Sequence, residues 1–254
     1  MNLIKNKRIN EFNNYMKFKI QQINNNSYSP DKNGKKYLLV MACHCENELK
    51  LETIRKNLRY FAFENVDKVI INTSGLPYNN RLAEICNRHI NSKYFEIPNS
   101  PYIDFGKWVD VLNNKVNYND YDYIILTNDS YIIEHSINHF LNLAFKFNVE
   151  LFGYNDSSQI RYHFQSYLFC LRKDAVQTFI NKVNNPLLQI RNSQDVINNF
   201  EITMTDWYPS NNCFLKIGNF GLDKGENIFF TNDQLYEPLK KNNILPFTKI
   251  KRIT

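Results

Sequence analysis

The chain of 254 residues carries 31 Lys and Arg against 25 Asp and Glu, a formal charge of +6 at neutral pH. Hydrophobic residues make up 43% and aromatics 15%, enough for a sizeable core, which excludes a disordered chain. The positive excess favours anionic ligands such as nucleotides and phosphates. Basic residues form no clustered stripe beyond the N-terminus, so nucleic acid is not an expected partner.

Five cysteines (Cys43, Cys45, Cys86, Cys170, Cys213) are odd in number and scattered, which argues against a disulfide framework and fits a reducing compartment. Cys43-His44-Cys45 lacks the second ligand pair that a zinc site needs. No stretch reaches the roughly 18 apolar residues of a membrane span, and the Asn- and Lys-rich N-terminus has no apolar centre of a secretory signal. The expected location is cytoplasmic.

Residues 1–25 place Ile9, Phe12, Met16, Ile20 and Ile23 at helical spacing, ringed by Lys5, Lys7, Arg8, Lys17 and Lys19. Such a face either packs on the main domain or touches anionic lipid, a peripheral membrane contact. Residues 24–36 read as a linker, so the chain divides into a basic N-terminal helix with linker (1–35) and one α/β domain (36–254).

From there strands and helices alternate. Strands are predicted over 37–42, 68–72, 93–97 and 123–126, with helices over 47–63, 80–90 and 104–113 between them. This order implies a mostly parallel sheet flanked by helices. Neither G-x-G-x-x-G nor G-x-x-x-x-G-K-[ST] is present, so a phosphate-bearing ligand would have to meet a metal or cationic side chains.

The fourth strand ends in Thr127-Asn128-Asp129-Ser130. Open α/β sheets bind ligands at the carboxyl ends of their strands, and an acid there suits a divalent metal with its phosphates. Further on, a helix is predicted from Ser136 to Phe147 and a strand over 149–154. Residues 162–171 read as one strand with His163, Gln165 and Tyr167 on one face and Phe164, Ser166 and Leu168 on the other. A face of His, Gln and Tyr is expensive to bury without partners, which points to a polar pocket. Helices are predicted over 174–183 and, capped by Ser193, over 193–205, with Glu201 and Asp206 near its end. A short strand over 227–230 and a short helix over 235–241 precede Pro246-Phe247-Thr248-Lys249, whose lysine could reach an anion.

His44, Asp104-Phe105-Gly106, Thr127-Asn128-Asp129-Ser130, His163-Phe164-Gln165-Ser166-Tyr167, the Glu201 segment and Leu245-Pro246-Phe247-Thr248-Lys249 fit one family in order and spacing. Over about residues 37–251 the chain resembles the rhamnan-synthesis F type of glycosyltransferase from polysaccharide-building loci. The resemblance implies a GT-A fold that binds a nucleoside diphosphate sugar. It further implies transfer of a hexose, rhamnose or another deoxysugar among the possibilities, to a glycan or a lipid- or protein-linked glycan acceptor. The Asp-x-Asp loop of such enzymes holds a divalent metal on the diphosphate; its counterpart here is Asn128-Asp129. One carboxylate, Asp129, can still bind Mg²⁺ or Mn²⁺ if water and phosphate oxygens complete the shell.

In that frame Asp129 is the metal ligand and Lys249 a cationic helper. Glu201 is the expected general base, Asp206 the alternative, and His163 a further catalytic group. His44, Thr73, Asp104, Asn128 and Gln165 are expected to shape the donor pocket. A single displacement would invert the anomeric centre. The alternative function is a binding module for nucleotide-sugar or carbohydrate on the same fold, without turnover.

Overall fold

A computed structural model of the protein describes residues 34–185, 187–209, 213–217, 227, 233–242 and 244–250. The expected N-terminal helix lies outside these residues, as does the 227–230 strand apart from Asn227.

The described chain forms a single α/β domain. Its eight-stranded sheet contains β1 (Tyr37–Cys43), β2 (Val66–Thr73), β3 (Ser92–Ile97), β4 (Tyr123–Asn128), β6 (Leu151–Ser157), β7 (His163–Phe164), β8 (Leu168–Arg172) and β9 (Cys213–Ile217). The order is β3-β2-β1-β4-β8-β6-β7, with β9 paired to β6. Strands β3, β2, β1 and β4 are mutually parallel, β8 is antiparallel to β4, and β6 is antiparallel to β8. The carboxyl ends of β1, β2, β4 and β6 therefore share one edge, and β8 begins there.

β1 shows why it is central. Tyr37, Leu39, Met41 and Cys43 enter one apolar layer, and Leu38, Val40 and Ala42 enter the other. A strand buried on both faces reads as an unbroken apolar run, because neither alternate face meets water. The first layer is closed by Leu51, Ile54 and Leu58 of α1 (Glu48–Tyr60), Leu82 and Cys86 of α2 (Asn79–Asn87), and Phe140, Leu141 and Ala144 of α4 (Asn138–Phe147). The second is closed by Phe105, Trp108 and Leu112 of α3 (Ile103–Asn114) and by Phe179 and Val183 of α5 (Val176–Val183). The sheet thus lies between two helical layers, as the alternating pattern implied.

Two expected elements are broken. Residues 162–171 form β7 and β8 separated by a turn, not one strand. β7 pairs with the far end of β6 (His163 opposite Ser157), whereas β8 pairs with its near end and with β4. One straight strand cannot serve both registers, so the chain turns over Gln165–Tyr167. The expected division into two faces therefore fails, and Ser166 joins His163, Gln165 and Tyr167 on the same cavity. Residues 193–205 form a short α6 (Ser193–Val196), a π-helical turn over Ile197–Glu201 and a 3₁₀ turn over Met204–Trp207. Asn192, not Ser193, caps α6, accepting from Asp195 N at 3.0 Å.

A second, two-stranded sheet was not foreseen. β5 (Tyr131–Ile133) pairs antiparallel with β10 (Phe247–Lys249), placing Lys249 opposite Tyr131. The buried Asn57 of α1 holds β5 from below: its Nδ2 donates to Tyr131 O and its Oδ1 accepts from Ile133 N, both at 2.8 Å. Phe247 packs edge-on against Tyr131, Tyr154 and Tyr167. Lys249 is thereby tied to the core through a side-chain amide and four rings.

Asn57→Ala strands a buried carbonyl and a buried N–H at β5. Urea unfolding should show a loss of about 2–4 kcal/mol.

Candidate functional site

The site is built where strand tips meet. β1 ends at Cys43, and the next residue, His44, donates its backbone N–H to Asp129 Oδ2 at 2.8 Å. Asn47 then caps α1, accepting from Lys50 N at 3.0 Å, which fixes Lys50 in the first turn. Lys50 Nζ reaches Asp129 Oδ1 at 2.8 Å and the Asp129 carbonyl at 3.2 Å. Burial works against the Lys50 charge, but the Asp129 carboxylate outweighs it and the ammonium is held above its ordinary pKa. Each Asp129 carboxylate oxygen thus accepts one protein donor, and the side chain is only 8% exposed.

Asp104 stands beside it in the first turn of α3. Asn128 Nδ2 donates to Asp104 Oδ2 at 2.9 Å, while Asn128 Oδ1 accepts from Ser130 N at 3.1 Å and Oγ at 2.6 Å. An amide can do both; a carboxylate at 128 would face Asp104 with no proton to give. Burial, then the charge of Asp129, raises the Asp104 carboxyl to about 6, against the pull of Lys107 and the Asn128 bond. Lys107, one turn along α3 and buried, donates to Cys43 O at 2.5 Å.

The approach to Asp104 is tight. A Cβ on Gly106 would lie 2.8 Å from Tyr102 Cβ, so glycine is required by close packing there. Ile103 has φ of +49°, a strained conformation for a β-branched residue, and its side chain stands at the cavity wall.

A cavity of about 420 Å³ opens at this edge. Of the ten residues predicted for the site, it is lined by Asp104, Asn128, His163, Gln165, Glu201 and Lys249. Asp129 lies just beneath, between the lining residues Asn128 and Ser130. His44 and Thr73 are placed at the neighbouring tips of β1 and β2, joined by His44 Nδ1 and Thr73 Oγ1 at 3.0 Å, but do not line it. Asp206 does not line it either: its carboxylate is bound by Arg161 at 2.6 Å on the exposed surface.

His163 and Glu201 face each other on the wall formed by β7 and the π-helical turn, with Nε2 and Oε1 3.8 Å apart. That is ion-pair distance, too long for a direct hydrogen bond. His163 Nδ1 lies 2.8 Å from the Arg161 carbonyl, so Nδ1 carries the proton and Nε2 points at the carboxylate. Burial disfavours the ring's charge, but Glu201 and the Arg161 carbonyl outweigh it and raise the His163 pKa. Burial would raise Glu201, yet His163, Lys249 and Ser166 together hold it below its ordinary value. The two shifts have one cause in common: each partner favours the charged form of the other.

Lys249 Nζ lies 3.1 Å from Ser130 Oγ and 3.8 Å from the centre of the Tyr167 ring. Tyr167 is itself fixed: its carbonyl accepts from Thr127 Oγ1 at 2.9 Å and Asn128 N at 3.3 Å, and its hydroxyl donates to Asn155.

The donor set does not fit a divalent ion held by Asp129. The Lys50 ammonium already sits on Asp129 Oδ1 at 2.8 Å as its countercharge, Oδ2 accepts from His44 N, and the Asn128 amide bonds Asp104 and Ser130. Among the described residues no three His, Cys, Asp or Glu side chains could share a metal ion. This includes Cys43-His44-Cys45, where both thiols are buried and free. Lys50, Lys107, Ser130 and Ser166 were not singled out from the sequence. Lys50 had a usable signal: a cation in the first turn of a helix opposes the macrodipole and needs a carboxylate to hold it.

No protein-family model matches the chain, and no curated protein matches it. Solved structures do. The glycosyltransferase GlyE of Streptococcus pneumoniae TIGR4 aligns over 72% of this chain and 45% of its own, with 10% identity and a TM-score of 0.47. The mannosyltransferase PcManGT of Pyrobaculum calidifontis, solved with GDP-Man and Mn²⁺, aligns over 69% and 56%, with 6% identity and a TM-score of 0.43. The galactosyltransferase LgtC, solved with donor and acceptor sugar analogues, aligns over 84% and 86%, with 10% identity and a TM-score of 0.43. The chain thus spans just under half of GlyE and just over half of PcManGT. No helix among the described residues is long and apolar enough to cross a membrane.

The unfolded Asp104 carboxyl titrates near 3.8 and the folded one near 6, so the folded state holds its proton longer. This group costs stability above that window and nothing below it. Asp104→Asn keeps an acceptor for Asn128, and thermal melts should show it stabilised relative to the parent at pH of about 8 but not at about 3.5.

Proposed function

We propose that the protein is a GT-A-type glycosyltransferase that moves a sugar from a nucleoside diphosphate sugar to a glycan or glycoconjugate acceptor. One observation carries this reading. A single cavity at the carboxyl edge of the parallel strands is lined by one cation, Lys249, together with Asn128, Ser130 and the His163–Glu201 pair, and Lys249 is near enough to help hold the Glu201 carboxyl below its ordinary pKa.

Lys249 receives the diphosphate, and its ammonium offsets the charge that grows on it as the glycosidic C–O bond breaks. Glu201, kept ionised by His163, takes the proton from the acceptor hydroxyl as its oxygen bonds to the anomeric carbon. His163 orients that carboxylate through its own bond to the Arg161 carbonyl. Attack on the face opposite the departing diphosphate gives inversion. Gln165 and Ser166, beside the pair, supply hydrogen bonds for sugar hydroxyls. The resemblance to the rhamnan-synthesis F type favours a hexose or deoxyhexose and a role in polysaccharide assembly at the cytoplasmic face of a membrane.

A second reading is a binding module on the same fold, favoured by the Lys50 ammonium that sits on Asp129. The two differ in turnover. Incubation with a panel of nucleoside diphosphate sugars should release nucleoside diphosphate. Glu201→Gln should lower that release by roughly 10²- to 10⁴-fold with donor affinity little changed. Donor binding with no release by the parent protein would favour the binding module.

A further inference from the structure

The charge around Asp129 is already balanced from within the chain. Its Oδ1 meets Lys50 Nζ at 2.8 Å, its Oδ2 meets the His44 N–H at 2.8 Å, and its carbonyl meets the same ammonium at 3.2 Å. The neighbouring Asp104 accepts from the Asn128 amide at 2.9 Å, and the buried Lys107 near it donates to Cys43 O. A divalent ion on Asp129 would have to expel Lys50 into water or sit against it, with no second acid in the loop as compensation. The phosphate side of the site has its own cation in Lys249, held over the Tyr167 ring and bonded to Ser130 Oγ.

From this donor set, and resting on the function proposed above, we infer that the site takes its nucleoside diphosphate without a divalent metal. The Lys50 ammonium occupies the cation position on Asp129, and Lys249 meets the diphosphate. Asp129 is then a positioning residue. It fixes the 128–130 loop to β1 and α1 so that Asn128 and Ser130 present their polar atoms to the cavity.

The test uses the full chain and three probes: UDP, GDP and dTDP, each titrated by calorimetry in EDTA and again in Mn²⁺. The nucleotide that binds should do so with dissociation constants within about twofold of each other in the two buffers. Lys249→Ala should weaken it roughly tenfold or more in both. Mn²⁺ alone, followed by electron paramagnetic resonance, should find no stoichiometric site on the parent. Lys50→Met, or Lys50→Gln if the first folds poorly, bares the carboxylate and should create such a site, seen also as a rise in melting temperature with Mn²⁺. Binding of nucleotide only with Mn²⁺ would overturn the inference and leave the proposed function standing. A stoichiometric Mn²⁺ site on the parent that disappears in Asp129→Asn would overturn it as well. If no nucleotide binds in either buffer, the proposed function falls and this inference falls with it.

Discussion

The site depends on one buried carboxylate. Asp129 ties the loop that follows β4 to a segment 79 to 85 residues earlier in the chain: the tip of β1 through His44 N and the first turn of α1 through Lys50. A carboxylate with two charge-assisted bonds and little solvent is held strongly, because each bond is short and water does not compete. Removing one partner would leave the other charge buried without a counterion, a larger loss than the bond itself. The loop geometry therefore follows from electrostatics more than from apolar packing, which ends at Leu126 and Tyr131.

Around that point the chain adds rigid supports. Trp108 donates from its indole to Thr127 O at 3.0 Å, and Thr127 Oγ1 reaches Tyr167 O, so β4, α3 and the start of β8 share one hydrogen-bonded junction. Cys45 N bonds Asn72 Oδ1, whose Nδ2 bonds Asn79 Oδ1 at 2.7 Å, locking the tips of β1 and β2. On the other wall the π-helical turn widens the helix by one residue, with Ile202 N bonding Ile197 O at 2.9 Å, and ends at Glu201. Such turns recur at functional sites because they redirect a side chain without ending the helix. The cavity is thus lined by Lys249, carried on the β5–β10 pair, and by Glu201, carried on the π-helical turn.

Much of this was legible in the amino-acid sequence, and the limits are physical. The first half of the fold was clear because β1 and β4 are unbroken apolar runs and α1 and α3 repeat apolar residues at helical spacing. The bends at 165–167 and 197–201 were not: the first follows a change of register against β6 where β8 also joins the distant β4, and no periodicity in the sequence marks the second. β5 and β10 are three residues each, too short for periodicity, and exist through Asn57 and a ring cluster. For the site, polar residues at strand tips were readable as a group. The partner of each was not, because Lys50 and Asp129 are 79 residues apart. Asp206 looked equivalent to Glu201 by position alone, yet Arg161 holds it on the outside.

The most direct test of the account is the structure of the full chain crystallised with a nucleoside diphosphate in Mn²⁺-containing buffer. The account predicts the diphosphate against Lys249 in the cavity that His163 and Glu201 also line, with Lys50 still seated on Asp129. A nucleotide bound elsewhere, or a metal ion on Asp129 with Lys50 expelled, would contradict it.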